Sequence, residues 1–202
     1  VDTDICGSGA DSISADPPTT DIIGDDCEVI DIPGAPDTAI DGGPEDLTRN
    51  ARPTFTFSST EPASTFECSI DDADFAPCDS PFTPLALGDG QHTFAVRATD
   101  SFGETDATPA TRIFTIDATA PDTKITKGPK RSSTDRTPTF EFTSTEPNST
   151  FVCSIDGRKY AACATPLTLK RQAKGSHTFA VRARDEAGNL DPKPATRSYS
   201  IK

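Results

Sequence analysis

The chain has 202 residues, 32 acidic and 19 basic, with a net charge of −13, 18 prolines, six cysteines and no methionine or tryptophan. That length holds one large domain or two small ones. No run of about 20 apolar residues is present to span a bilayer, and the acidic balance, without basic and aromatic interleaving, argues against a nucleic-acid partner.

Residues 1–34 carry nine acids and no base. Within them CGSGADSIS, residues 6–14, fits the nonapeptide rule G-G-x-G-x-D-x-U-x at Gly7, Gly9, Asp11 and Ile13, with Cys6 in the first glycine's place. Asp21, followed by Ile22 and Ile23, is close to the next turn's aspartate but out of phase. The segment resembles the terminal turn of an RTX-type, hemolysin-like calcium β-roll. The resemblance implies Ca²⁺ held by aspartate and carbonyl oxygens, with Asp11 as candidate, although six to eight oxygens must converge and one turn does not supply them. If Asp2 and Asp4 belong to an earlier turn, Val1 is an excision point; no signal peptide is visible there.

The remainder is a repeat. Residues 35–117 align with 120–202 without a gap, and 42 of the 83 pairs are identical, so two copies of one fold are expected, at 35–117 and 118–202. The first opens with a strand at 37–41. Thr54–Ser58 then alternates with Phe55 and Phe57 on one face, Thr65–Ile70 places Phe66, Cys68 and Ile70 together, and His92–Ala98 does so with Phe94, Val96 and Ala98. PFTPLAL, residues 81–87, is broken by prolines and suits a short edge strand, and Ile113–Ile116 closes the unit. GGP at 42–44, EP at 61–62 and GDG at 88–90 supply the turns. Six or seven short strands with no helical period make an all-β fold, two tandem β-sandwiches behind an irregular acidic segment.

APDT at 35–38 and 120–123, PTFTFSSTEPASTFECSID with PTFEFTSTEPNSTFVCSID, and HTFAVRATDSFG with HTFAVRARDEAGN cover most of both copies. On these residues each copy resembles the bacterial Ig-like repeats found in tandem on secreted and surface proteins. It departs from antibody domains in lacking tryptophan and a disulfide between the sheets.

The two cysteines of each copy are ten residues apart. Zinc sites commonly group cysteines as C-x₂₋₄-C with more ligands nearby, and only His92 or His177 stands by. Redox C-x-x-C spacing is absent. A staple fits better, because SIDDADF reads as a hairpin turn that returns Cys78 beside Cys68; such a loop stabilises by roughly 2.5–3 kcal/mol in the chain-entropy model. The expected pairs are Cys68 with Cys78, Cys153 with Cys163 and, by remainder, Cys6 with Cys27. An even set of this kind suits an oxidising, extracellular or cell-surface setting.

In related adhesins, aspartates at the domain joint bind calcium and rigidify the array, which makes Asp117 and Asp122 at the linker, with Asp100, Asp106, Asp185 and Asp191 in late loops, candidate ligands. Turn chemistry is the competing and preferred reading of these residues. His92 and His177 have no nucleophile or second histidine beside them in sequence and read as structural. Asn148-Ser149-Thr150 is an N-glycosylation sequon, fortuitous in a bacterial product. Short loops give little concavity for a substrate, so the chain reads as non-enzymatic, with no cofactor required and calcium the one candidate ion. The expected role is a spacer or adhesion module. The alternative is a filament subunit, because residues 1–117 carry 24 acids and four bases while 118–202 carry eight acids and 15 bases, which allows head-to-tail association with copies of itself. A carbohydrate-binding module is the third reading and needs exposed aromatics among Phe75, Phe82, Phe102 and Tyr160. The partners expected are thus other protein domains, copies of the chain, or a surface polymer or glycan.

Overall fold

The computed structural model describes residues 34–202. The expected Cys6–Cys27 pair and the Asp11 roll turn lie outside the described residues.

Seven strands make the first unit: β1 (Thr38–Gly42), β2 (Leu47–Thr48), β3 (Thr56–Ser59), β4 (Thr65–Ile70), β5 (Ala76–Cys78), β6 (Gly90–Thr99) and β7 (Ala110–Ile116). β1 pairs with β3 in one sheet, and the order β2-β7-β6-β4-β5 makes the other. The second unit repeats the plan with β8 (Thr123–Lys127), β9 (Ser132–Ser133), β10 (Thr139–Ser144), β11 (Thr150–Ile155), β12 (Ala161–Cys163), β13 (Leu167–Thr168), β14 (Gly175–Arg184) and β15 (Ala195–Ile201). The described residues contain no helix.

Alternation explains the layers. In β6 every second side chain, Phe94, Val96 and Ala98, is buried, which is what a strand with one face on a core requires. Phe55 and Phe57 reach the same core from beside and within β3, and β7 adds Phe114 and Ile116. The second unit has its own core of Phe140, Phe142, Phe179, Val181, Tyr199 and Ile201. In each, one phenylalanine from either sheet stacks on its opposite, Phe55 on Phe94 and Phe140 on Phe179, with ring centroids 4.0 Å apart.

Two expectations shift in detail. The strand expected to start at Thr54 begins at Thr56, because Phe55 forms only an isolated bridge with Phe82. The edge strand expected at 81–87 is reduced to that bridge in the first unit, whereas the second forms β13. Leu169 stands where the first unit has Pro84, and its amide donates to the Pro138 carbonyl at 3.0 Å. A proline has no N–H to make that bond.

The β4–β5 hairpin places Cys68 opposite Ala76 and Cys78 opposite Phe66, and the disulfide runs diagonally between them. Cys153 and Cys163 are bonded in the same way. Both bridges therefore lie within a sheet. The turn residues have positive φ, 54° and 58° at Asp71 and Asp72, and 52° and 70° at Asp156 and Gly157. Two successive residues of this kind make a type I′ turn, whose twist matches the flanking strands. Asp72 carries a Cβ through a backbone region that the second unit fills with glycine. Replacing Asp72→Gly is expected to stabilise the first unit by about 0.5–1 kcal/mol, measured as a raised midpoint in thermal or urea unfolding.

Candidate functional site at the joint between the units

The APDT signature opens each unit by tying its first strand across the sandwich. The Thr38 amide donates to Asp106 Oδ2 at 2.9 Å, and Thr38 Oγ1 accepts the Ala98 amide at 2.9 Å. Thr123 does the same with Asp191 and Ala183, at 2.9 and 2.7 Å. The other oxygen of each aspartate holds its own loop, through the amide and hydroxyl of Thr108 in one case and the Lys193 amide in the other. Burial pushes the Asp106 carboxyl pKa up, and the bonds from Thr38 and Thr108 more than reverse it, so the group is held below its usual value. Asp106 and Asp191 are thus consumed by turn chemistry. Asp122, the other linker candidate, is exposed and contributes main-chain bonds, its amide to Thr145 Oγ1 and its carbonyl from the Thr145 amide.

Asp117 has a different setting. It follows β7, and its carboxylate lies with those of Glu146 and Asp185 so that one oxygen from each falls within 4.8 Å of the others. Glu146 is absent from the candidates read from the sequence, where only the equivalent Glu61-Pro62 stands out, as a turn. Asp185 is buried, its Oδ1 accepting the Asn189 amide at 2.7 Å and its Oδ2 the Asn189 Nδ2 at 2.8 Å. Asn189 Nδ2 also donates to the Asp117 carbonyl at 2.7 Å, and Arg49 Nη1 donates to the Gly188 carbonyl at 3.1 Å. Both bonds cross from one unit to the other. Asp89 caps the linker, accepting from the Ala118 amide at 2.7 Å and from the Thr119 hydroxyl.

Burial, then the charges of Asp185 and Asp89, raise the Asp117 pKa. Burial, then Asp117, Asp185 and Asp89, raise that of Glu146. Like charges so placed disfavour one another's ionised form. The donor set is all oxygen, up to six from three carboxylates, and suits a hard divalent cation of the Ca²⁺ class.

Asp100 stands at the equivalent place at the far end of the first unit. Its Oδ1 accepts the amides of Phe102 and Glu104 at 2.8 and 2.9 Å, but its Oδ2 is buried without a partner among the described residues. Position 104 is glutamate where the second unit has Asn189, so the amide donor is missing.

The histidines sit elsewhere. His92 Nδ1 lies 2.7 Å from Asp71 Oδ2 and Nε2 lies 2.9 Å from the Gly88 carbonyl. His177 repeats this with Asp156 at 2.8 Å and the Ala173 carbonyl at 3.0 Å. A carbonyl and an ionised carboxylate only accept, so both ring nitrogens must donate and the ring is an imidazolium. Their aromatic neighbours are Phe114 and Tyr199, and burial with the Asp156 charge pushes the Tyr199 hydroxyl up to about 12.

Asn148 is exposed in a turn at φ 56°. Of the aromatics a glycan would need, Phe75 is covered by the Arg97 guanidinium at 4.3 Å and Phe82 packs on the core, leaving Phe102 exposed by itself. Tyr160 is half-buried, with Arg182 at 5.9 Å from its ring.

No family model matches the chain, and no curated protein matches it. Among solved structures it is similar to the fibronectin(III)-like modules of CbhA from Clostridium thermocellum, with 17% identity and a TM-score of 0.50 over 82% of this chain and 94% of that one. It is also similar to a 1.5-MDa bacterial ice-binding adhesin, at 13% identity and TM-score 0.46, over 85% of this chain and 66% of that one. A Ca²⁺-stabilized adhesin of an Antarctic bacterium aligns at 16% identity and TM-score 0.43, over 83% of this chain and 48% of that one. The chain thus spans nearly all of the first, about two thirds of the second and about half of the third. The first likeness shows the fold, a tandem β-sandwich of the Ig-like and fibronectin-like class.

The histidine clamps give a pH dependence. The bond from Asp71 or Asp156, then that to the loop carbonyl, raises each histidine pKa above 6.5. Burial pushes the two aspartates up, and the bonds from histidine and the following amide reverse it, leaving both below 3.8. A raised histidine stabilises fully below pH 6.5 and loses this as pH rises through its folded pKa; a lowered aspartate contributes above pH 3.8 and loses this as pH falls through its own. Unfolding midpoints should therefore fall as pH rises above 6.5 through the raised histidine pKa values, and a His92→Gln, His177→Gln double variant should flatten that slope.

Proposed function

We propose that the chain is a non-enzymatic structural or adhesive module of a bacterial surface or secreted protein, in which stapled Ig-like units serve as a spacer or stalk. The observation that carries this reading is the joint. Six residues, 117–122, separate β7 from β8, and the bonds from Asn189 and Arg49 span the two units. The linker is short and contains Pro121, which is buried; such a connection limits bending. Disulfides within small sandwiches fit an oxidising, extracellular setting.

The same joint is where calcium would act. Asp117, Glu146 and Asp185 repel one another, and a divalent cation among them would turn that repulsion into a tie between the units. Asp117 comes from the first unit and Glu146 and Asp185 from the second, so the ion would stiffen the rod without altering either core. A second reading, a subunit that assembles end to end, is favoured by the acidic front and basic rear.

At about 10 mM Ca²⁺ a site of the affinity usual in extracellular modules adds about 1.4–2.7 kcal/mol. The expected results are a higher unfolding midpoint with Ca²⁺ than with chelator, and no such shift in Asp185→Asn. Small-angle scattering of the monomer should give a narrow distribution of end-to-end lengths with Ca²⁺. A melt indifferent to Ca²⁺ removes the ion from this reading, and a freely hinged pair of beads in both conditions removes the spacer.

A further inference from the structure

The two ends that meet at the joint are both acidic, and the two ends that do not meet have opposite charge. In the second unit the end away from the joint gathers cations that are distant in sequence. The Ser200 amide donates to the Arg131 carbonyl at 2.9 Å and the Lys202 amide to the Ser133 carbonyl at 3.0 Å, which brings the 130–133 loop to the end of β15. Gln172 and Arg136 exchange two bonds, the Gln172 amide to the Arg136 carbonyl at 2.7 Å and Arg136 Nε to the Gln172 carbonyl at 2.8 Å. Gly175 pairs with Ile201, which sets Lys174 beside Lys202. Lys130, Arg131, Lys170, Arg171, Lys174 and Lys202 are all exposed there.

Comparison with the first unit shows that this charge is a reversal and not a general property of the fold. Glu45, Asp46, Asp89 and Asp117 of the first unit are replaced by Lys130, Arg131, Lys174 and Lys202. The core positions meanwhile stay nearly the same. Asp89 and Asp117 are the residues that, in the first unit, lie at the joint with the second.

The opposite, far end of the first unit carries three carboxylates. Glu61 and Asp100 occupy the places of Glu146 and Asp185, and Glu104 replaces the donor Asn189. Asp100 is 8% exposed, and its Oδ2 has no partner among the described residues. A buried carboxylate oxygen left unpaired is costly, and a donor supplied from outside the unit would satisfy it.

We infer that the basic end of the second unit docks on the acidic end of the first unit of a second molecule of this chain. In this contact Lys202 and Lys174 face Glu61, Asp100 and Glu104 of the second molecule. Where the intrachain joint brings three carboxylates together and calls for a metal ion, the contact between molecules carries its own cation in the Lys202 ammonium. Because donor and acceptor ends are different surfaces, the contact is heterologous and propagates in a line unless the rotation closes it. This deepens the structural-module reading and rests on it.

The test is sedimentation velocity on the full, disulfide-intact chain with chelator present, so that no divalent ion contributes. At about 10 mM salt the mean mass should rise with protein concentration, and at about 1 M salt it should not, since charge pairing is then screened. A Lys174→Asp, Lys202→Glu variant and a Glu61→Lys, Glu104→Lys variant should each associate at least about tenfold more weakly, with circular dichroism melts showing that both remain folded. Mixing the two variants should restore association, because each reversed end then meets its complement. A chain that is monomeric at every salt concentration, or a loss that mixing does not restore, overturns the inference. Heparin, used as a sulfated polysaccharide probe, supplies a further arm. Saturable binding of heparin to a monomeric chain, abolished by the lysine reversals, would assign the basic end to a polyanion and also overturn it. None of these failures touches the spacer reading, which is decided on the single molecule by scattering and by Ca²⁺.

Discussion

Each unit depends on one pair of phenylalanine rings stacked between its sheets. Phe55 and Phe94, and Phe140 with Phe179, meet at 4.0 Å from opposite layers and are fully buried. Such a pair contributes more than its buried area, by about 0.5–1.5 kcal/mol, and it sets what may lie around it. A Cβ at Gly43 would come within 3.1 Å of the Phe55 ring, and one at Gly128 within 3.1 Å of Phe140. The loop after the first strand therefore crosses the ring edge at glycine. Beyond it, the guanidinium of Arg112 or Arg197 reaches the carbonyl of Pro44 or Pro129 and holds that loop down. GGP and KGP thus serve the same packing requirement.

That requirement explains which positions stayed alike between the units. The stacked rings, the Thr–Asp clasp, the staple and the histidine clamp are the same in both, and together they determine the sandwich. The exposed side chains at the ends of each unit lie outside the stacked rings and the staple, and several of them differ. The differences there include acids at the joint end of the first unit, bases at the corresponding end of the second, and an amide exchanged for a carboxylate at position 104 against 189. Core packing and end charge are therefore carried by different residues of a unit, which lets one fold present two different surfaces.

The sandwich was legible in the sequence because it follows from period-two alternation and repeated turn residues. Phe94, Val96 and Ala98 could be assigned to one face without coordinates, and the hairpin that closes each disulfide could be read from the acid-rich turn. Two-residue strands such as β2 and β9 were not, since two residues carry no period and these pair in parallel with β7 and β15 through main-chain geometry alone. The joint was half legible. Asp117 stood out as an acid at the linker and Asp185 only as one of four aspartates in late loops, while Glu146 lies 29 residues from one and 39 from the other, and only the fold brings them together. Asp106 and Asp191 looked alike to them on the page, yet their oxygens are spent on Thr38 and Thr123, which the sequence showed only as a repeated APDT.

The contrast between Asp100 and Asp185 shows how little is needed to change the character of an end. Both follow the long strand of their unit, both are buried, and both hold the following loop through Oδ1. Asn189 then supplies a donor to Asp185 Oδ2 and a second bond to the Asp117 carbonyl, so one side chain both satisfies the buried acid and grips the preceding unit. Glu104, at the equivalent place, can do neither, because a carboxylate has no N–H to give. It adds charge where the asparagine adds a bond. Among the described residues the first unit therefore ends with a buried carboxylate oxygen that has no donor, while the second ends at the joint in a surface that holds its neighbour, and the difference rests on the chemistry of a single side chain.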